Sequence, residues 1–439
     1  MDWQDYYRSR LVTAEEAVKV VKSRDRVVFT YGMEPMAIGL ALAARKDELQ
    51  GVKVFVPSPG RDFAWYDPGW EDSFAIEVGY ILPLVREMIA EKRGDYVVSG
   101  LMWAHEPGAR PQPDVVLTQI SPPDEHGFCS FGASLWNKKA DVRAGKAVVA
   151  EVNSSLISTY GDNFIHVSEI DYFVEHTPTG RMPGATDLLG RRTEGPGEVE
   201  KNIAGHVSTI IQDGATVQIG VGGTAEWLVQ LGIFKERQAL GWFSENTPRG
   251  VIGLVKEGVI TGERKPIHRG KTVATALGGG TKEEMDYIHL NPLFELYGSD
   301  YILSPRVICQ HENMVAINSA LALDLTGQIA AESLGPSMIS GSGGQLAFAI
   351  GAALSPGGRF ITVLTSTARG GTVSRIVPSL KPGTIITVPR TLADYVVTEY
   401  GIAHLRGKTQ RERAQELIAV AHPDFRAELK KEAQRLYWP

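Results

Sequence analysis

The spacing of apolar and polar positions changes period repeatedly along the chain, and each change marks the passage from helix to strand. From Thr13 to about Ser23, Ala14, Ala17, Val18, Val20 and Val21 recur at helical spacing behind a Thr13-x-x-Glu16 capping signature. A β-branched and aromatic run, Val27 to Tyr31, follows and stops at Gly32. A second helix is predicted from about Met36 to Arg45, and a second strand, Val54-Phe55-Val56, runs into Pro57-Ser58-Pro59-Gly60. Strands alternating with helices in this way predict a parallel α/β sheet.

The same order returns downstream. Val199 to Ile211 reads as a helix, Thr216 to Ile219 as a strand ending at Gly220, Thr224 to Leu231 as a helix and Leu240 to Phe243 as a strand. Setting Gly32 on Gly220 gives an offset of 188, the difference of the two numbers, and places Phe55 on Phe243 and Pro57 on Glu245. Identity between the halves is low, so the repeat is one of element order. The run from Arg191 to Glu198 has linker composition. The chain is therefore expected to form two similar open α/β domains, residues 1–190 and 199–439, with the active site in the cleft between them, outside the carboxyl ends of the strands. Glu245 stands just past such an end, whereas its counterpart Pro57 has no chemistry to offer.

Composition narrows the function. At 439 residues, 43% hydrophobic and 22% charged, the chain is an ordinary globular protein large enough for two cores. A net charge of −6 excludes neither substrate nor cofactor but gives nucleic acid and membrane surfaces no reason to bind. The two cysteines, Cys129 and Cys309, lie far apart and in no metal-like spacing, which fits a reducing compartment and predicts no metal site. The first residues, MDWQDYYRSR, lack the apolar stretch of a signal peptide, and no run approaches ~20 apolar residues. A cytoplasmic protein is expected, and a symmetric homo-oligomer is the ordinary expectation for one.

Three glycine-rich loops are candidates for close approach to a ligand: Gly220-Val221-Gly222-Gly223, Gly278-Gly279-Gly280 and Gly341-Ser342-Gly343-Gly344-Gln345, the last opening the apolar run Leu346 to Leu354. Each is equally a plain turn. Gly220-x-Gly222-x-x-Ala225 also fits a dinucleotide fingerprint, with Glu245 twenty residues beyond where a ribose-binding acid would lie, so a nicotinamide dehydrogenase is a rival reading.

Other stretches weigh against that rival. Ile120 to Gly127 (ISPPDEHG), Ile317 to Leu321 (INSAL), Asp324 to Gln328 (DLTGQ), the Gly341 to Gln345 loop, Val396 to Gly401 (VVTEYG) and Ala421 to Arg426 (AHPDFR) occur in one order along the chain. Together they resemble the acetyl-CoA hydrolase/transferase family, which includes 4-hydroxybutyrate CoA-transferases and belongs with the family I CoA-transferases. The resemblance covers nearly the whole chain. It implies that Glu245, in Ser244-Glu245-Asn246, is a covalent relay. It implies further that the backbone of Gly341, Ser342, Gly343, Gly344 and Gln345 lines the acyl-CoA thioester, with Gly343 and Gly344 as oxyanion donors, and that Asn246 and Asn318 support the site. Phe243 and Leu346-Ala347-Phe348 depart from the family, which often has His at the first and hydrophobic-Asp-Phe at the second.

The implied reaction transfers coenzyme A from an acyl-CoA to a small carboxylate such as acetate, butyrate, 4-hydroxybutyrate, succinate or itaconate, with no cofactor beyond coenzyme A itself. A carboxylate relay needs a nucleophile, fixed oxyanion donors and shelter from water. A hydrolase using the same glutamate and a non-catalytic acyl-CoA sensor remain alternatives beside the dehydrogenase. Arg369, Arg375, Lys381, Arg390 and Lys408 are candidates for CoA phosphate. His126 reads as a turn residue, and His404 and His422 as local packing. Phe63, Trp65, Tyr66, Trp70 and Trp103 are candidates for an acid pocket or, more commonly, core.

Overall fold

The computed structural model describes residues 2–98, 101, 111–178, 195–278 and 281–438. The chain divides into two compact units, Met1–Gly190 with Thr275–Tyr301, and Arg191–Ala274 with Ile302–Pro439. The stretch expected as one domain, 199–439, is thus interrupted, and Thr275–Tyr301 packs with the first unit. Of the linker, residues 191–194 lie outside the described residues, as do Trp103, Gly279 and Gly280.

Unit 1 is built on a parallel sheet of strands β1 (Arg26–Phe29), β2 (Val52–Val56), β3 (Phe74–Val78), β4 (Val115–Ile120), β5 (Ala147–Val152) and β6 (Tyr172–Glu175). They lie in the order β6-β5-β4-β1-β2-β3, with the two-residue strands Leu11–Val12 and Asp95–Tyr96 at its edges. Helices α1 (Met36–Ala43) and α2 (Lys138–Ala144) belong to this unit. All six residues of β4 are buried, as a strand covered on both faces requires.

Unit 2 opens with helix α3 (Glu198–Ser208). Its sheet holds β7 (Thr216–Ile219), β8 (Gly241–Ser244), β9 (Thr272–Ala274), β10 (Met314–Ser319), β11 (Arg359–Val363), β12 (Tyr395–Thr398) and β13 (Gly401–His404) in the order β13-β12-β11-β10-β7-β8-β9. All pairings are parallel except β12 with β13. Helix α4 (Gln345–Leu354) and the closing helices α5 (Gln410–Val420) and α6 (Pro423–Tyr437) complete it. The four-strand order β4-β1-β2-β3 of unit 1 recurs as β10-β7-β8-β9 in unit 2, so the repeat of element order is real. Pro57 and Glu245 each follow the strand next to the first of their unit.

Two helices are shorter than their apolar periodicity predicted. The first runs only from Ala14 to Ala17 before tightening to a 3-10 turn at Val18–Val20. Its β-branched residues resist the helix, and Arg45 supplies an outside partner by donating from Nη1 to the carbonyls of Val18 and Val21 at 2.5 and 2.9 Å. The Thr13 hydroxyl accepts from the Glu16 N–H, while the Glu16 carboxylate pairs with Lys19. The second, expected from Thr224 to Leu231, contains one 3-10 turn, Ala225–Trp227. Its carbonyls accept in mixed steps, Ala225 from Leu228 and Trp227 from Leu231, which does not build a regular helix. Among the described residues no helix is long and apolar enough to cross a membrane, and no group of three or more His, Cys, Asp or Glu could hold a metal ion.

Candidate active site

Strand β8 is buried along its whole length, and the turn that ends it is tied back from both sides. Ser244 donates from Oγ to the Asn246 carbonyl at 2.6 Å, and Trp242 donates from Nε1 to Thr247 Oγ1 at 3.2 Å. Ser244, Asn246 and Thr247 are all buried, so the turn has little freedom. Glu245 sits at its first position and alone among them keeps partial exposure. Its backbone is therefore fixed, and its carboxyl group is held where burial desolvates it.

Across from it begins α4. Gly344 is the helix N-cap and its backbone N–H hydrogen-bonds the Glu245 carboxylate. A Cβ at Gly344 would lie 2.0 Å from Glu245 Oε2 and 2.5 Å from Leu303 Cδ2, so only glycine lets the backbone come this close. The N-terminal N–H groups of a helix favour negative charge, and α4 at ten residues is long enough to count. Gly341 is buried, Ser342 and Gly343 are partly exposed, and Gln345 Nε2 is buried with no partner among the described residues. Of the two glycines marked in the sequence as oxyanion donors, Gly344 is the one that engages the glutamate.

The register pairs Val217 with Trp242, and carried on three residues it sets Gly220 level with Glu245. At the neighbouring strand end Asn318 and Gln218 exchange two amide hydrogen bonds, of 3.0 and 3.2 Å. A Cβ at Gly220 would fall 2.3 Å from Asn318 Oδ1, and one at Gly222 would fall 2.7 Å from Ser319 Oγ. Ser319 Oγ also accepts from the Ala225 N–H at 3.2 Å. Asn318 thus shapes the Gly220–Gly222 loop, while Gly223 is exposed. Gln218 carried no signal in the sequence, because its role depends on a contact 100 residues away. The dinucleotide reading loses its footing here. The fingerprint needs a helix N-terminus to receive a pyrophosphate, and the segment supplies a three-residue turn.

Burial pushes the Glu245 carboxyl up from its ordinary 4.5 to about 7, and the Gly344 N–H pulls in the opposite direction. Only the carboxylate is a nucleophile. The kcat/KM of a reaction that uses it should rise tenfold per pH unit below about 7 and level off above. A flat profile from pH 5 to 8 would count against Glu245. The same shift bears on stability. The folded state holds this proton more tightly than the unfolded chain, so the ionised side chain disfavours folding fully above pH 7, and the penalty fades as pH falls toward 4.5. Glu245→Gln should accordingly stabilise the protein by up to about 3 kcal/mol at pH 8 and by little near pH 4.5, measured by denaturant titration. An equal effect at both pH values would contradict the assignment.

Behind the strand, Phe243 is fully buried against the His311 ring, centroids 4.5 Å apart. Burial first, and then the neighbouring Lys265 and His268, drive His311 down to about 3, so it is neutral at working pH. The buried Lys265 donates to the carbonyls of Trp242 and Lys271, each at 3.0 Å, which clamps β8 to the start of β9. Neither residue was marked by the sequence.

The remaining candidates separate. Asp324 folds its own loop, its Oδ1 accepting from the N–H groups of Thr326 and Gln328. Glu399 holds Ser366 through its N–H and hydroxyl. His126 sits exposed in a turn organised by Asp124, His404 stacks on Tyr395, and the His422 ring accepts the Asp424 N–H at the start of α6. Phe63, Trp65 and Tyr66 are core, packed with Phe29 and Phe74. Trp70 lies under the Lys46 ammonium. Lys408 is paired with Glu416, Arg375 donates to the Ala320 carbonyl, and Arg369, Lys381 and Arg390 are exposed.

Comparison with known proteins gives the family. Residues 1–179 match the acetyl-CoA hydrolase/transferase N-terminal domain and residues 280–433 the C-terminal domain of the same family. The chain is 40% identical over 442 residues to a 4-hydroxybutyrate coenzyme A transferase of Clostridium kluyveri, with 100% of each chain covered. It is 35% identical to a succinyl-CoA:cyclohexane-1-carboxylate CoA transferase of Geobacter metallireducens, covering 99% of this chain and 97% of that one. The crystal structure of RipA from Yersinia pestis matches 100% of both chains with a TM-score of 0.89 at 31% identity.

Proposed function

Because the chain belongs to the acetyl-CoA hydrolase/transferase family and is a CoA-transferase, we propose that it moves coenzyme A from an acyl-CoA to a small carboxylate through a glutamyl-CoA thioester on Glu245. The observation that carries this reading is the desolvated Glu245 carboxyl with the Gly344 N–H already bonded to it. The carboxylate attacks the thioester carbonyl, forming an acyl-glutamyl anhydride and releasing CoA thiolate. The thiolate then attacks the glutamyl carbonyl, which expels the free acid and leaves glutamyl-CoA. An incoming acid reverses both steps and departs as the new acyl-CoA, returning the carboxylate.

In the second step negative charge develops on a glutamyl oxygen, and the Gly344 N–H at the head of α4 is placed to receive it. Thioester is exchanged for thioester, so the cycle draws on no energy source and no group other than coenzyme A. The names of relatives, a 4-hydroxybutyrate and a succinyl-CoA:cyclohexane-1-carboxylate CoA transferase, support carboxylic acids of this kind as the substrates.

Initial-rate kinetics with acetyl-CoA and butyrate test the cycle. Parallel double-reciprocal lines, with no CoA released when acid is omitted, are the expected result. Converging lines would exclude the covalent route, and rapid CoA release without acid would make the protein a hydrolase.

A further inference from the structure

Glycine weakens a strand, yet β8, buried from end to end, begins with Gly241. Its neighbour explains the choice. A Cβ at Gly241 would lie 2.6 Å from Lys265 Cγ and 2.8 Å from Lys265 Cδ, so the glycine leaves open the lane along which the lysine stem crosses the strand. Lys265 is only 2% exposed. Taking an ammonium out of water costs free energy, and an apolar side chain of the same length would fill this space without that cost. A strand glycine matched to a buried lysine therefore calls for something that the ammonium does and packing alone would not.

The loop that carries Lys265 leaves it little freedom. The Gly262 N–H donates to the carbonyl of Leu240, the residue before β8, and the Gly262 carbonyl accepts from the N–H groups of Lys265 and Gly270. From this loop the ammonium donates to the carbonyls of Trp242 and Lys271, each at 3.0 Å, and lies 5.9 Å from the centre of the Phe243 ring. Trp242 is then held at two ends. Its carbonyl answers to Lys265, while its indole N–H reaches past Glu245 to Thr247 Oγ1 at 3.2 Å.

We propose that Lys265 is a positioning residue for Glu245, acting through Trp242, in a role that presupposes the covalent relay. The ammonium fixes where β8 lies along its own axis, and the Trp242 indole carries that position to the far end of the turn. The turn then presents the carboxylate to the Gly344 N–H. This spacing tolerates little error, since a Cβ on Gly344 would stand 2.0 Å from Glu245 Oε2.

Lys265→Met keeps the length of the stem and removes the donor. With acetyl-CoA and butyrate, kcat per folded protein should fall ~10-fold or more, because a shift of about 1 Å at a reacting group commonly costs on the order of 10²-fold. The acid limb of the kcat/KM profile should move upward from about 7 as the Gly344 contact is lost. Loss of a positive charge raises that limb by electrostatics as well, so a companion variant without any charge change is needed. Thr247→Val is near-isosteric and frees the other end of Trp242. It should lower kcat and shift the limb in the same direction. The double variant should lose less than the product of the two single losses, because both break one chain of contacts. Lys265→Met with the parent's kcat and an unshifted limb, whatever its melting temperature, would reduce the lysine to a structural clamp. Losses that simply multiply in the double variant would also overturn the proposal. Should Lys265→Met fail to fold, Thr247→Val with the parent's kcat and limb overturns it alone. None of these outcomes removes the relay, which stands or falls with Glu245→Ala.

Discussion

Replacing Glu245 by alanine is expected to lower kcat for CoA exchange by ~10⁴-fold or more, since removing a covalent nucleophile ordinarily costs that much. Binding of coenzyme A should survive, because the turn that carries residue 245 is held by Ser244, Asn246 and Thr247 rather than by the carboxylate. Glu245→Asp is the sharper probe. It keeps the charge and withdraws it by one methylene from Gly344, and a displacement of about 1 Å commonly costs on the order of 10²-fold. Exchange followed by chromatography of the acyl-CoA products, beside isothermal titration with CoA, separates the two effects. An alanine variant within tenfold of the parent would exclude the relay.

The second large effect belongs to Gly344. Alanine there would place a methyl group 2.0 Å from Glu245 Oε2 and 2.5 Å from Leu303 Cδ2, so either the carboxylate or the start of α4 must move. Whichever yields, the N–H no longer faces the oxygen on which charge develops. Losing one oxyanion donor typically costs ~10²–10³-fold in kcat, about 3–4 kcal/mol of transition-state stabilisation. Because the same N–H holds the carboxyl pKa down, the variant should also shift the acid limb of its pH profile upward from about 7. Normal turnover with an unshifted profile would mean that the contact between Gly344 and Glu245 is incidental.

Much of this was legible in the chain because it is encoded locally. Strands buried on both faces, such as Thr216 to Ile219, announce themselves as apolar runs, and their order repeated at a fixed offset revealed the two matching sheets. Spacing put Glu245 past the end of such a strand and Gly344 in a glycine loop leading into an apolar helix, while the roles expected of them came from the resemblance of Ser244-Glu245-Asn246 and of the Gly341 to Gln345 loop to the CoA-transferases. What stayed hidden depends on contacts distant in sequence. Gln218 pairs with Asn318 across 100 residues, and His311 settles against Phe243 from another strand's approach. The helix expected from Thr13 failed for the same reason, since Arg45 takes its last carbonyls from 24 to 27 residues away. Aromatic periodicity was ambiguous in kind. Phe63, Trp65 and Tyr66 were candidates for an acid pocket or, more commonly, core, and their packing assigns them to the core.

The most direct measurement is to incubate the protein with acetyl-CoA alone, reduce with borohydride, digest, and read the peptide containing residue 245 by mass spectrometry. A thioester at that position predicts conversion of the glutamyl carboxyl to an alcohol on that peptide and on no other. Full exchange activity with an unmodified Glu245 peptide after reduction would contradict the account.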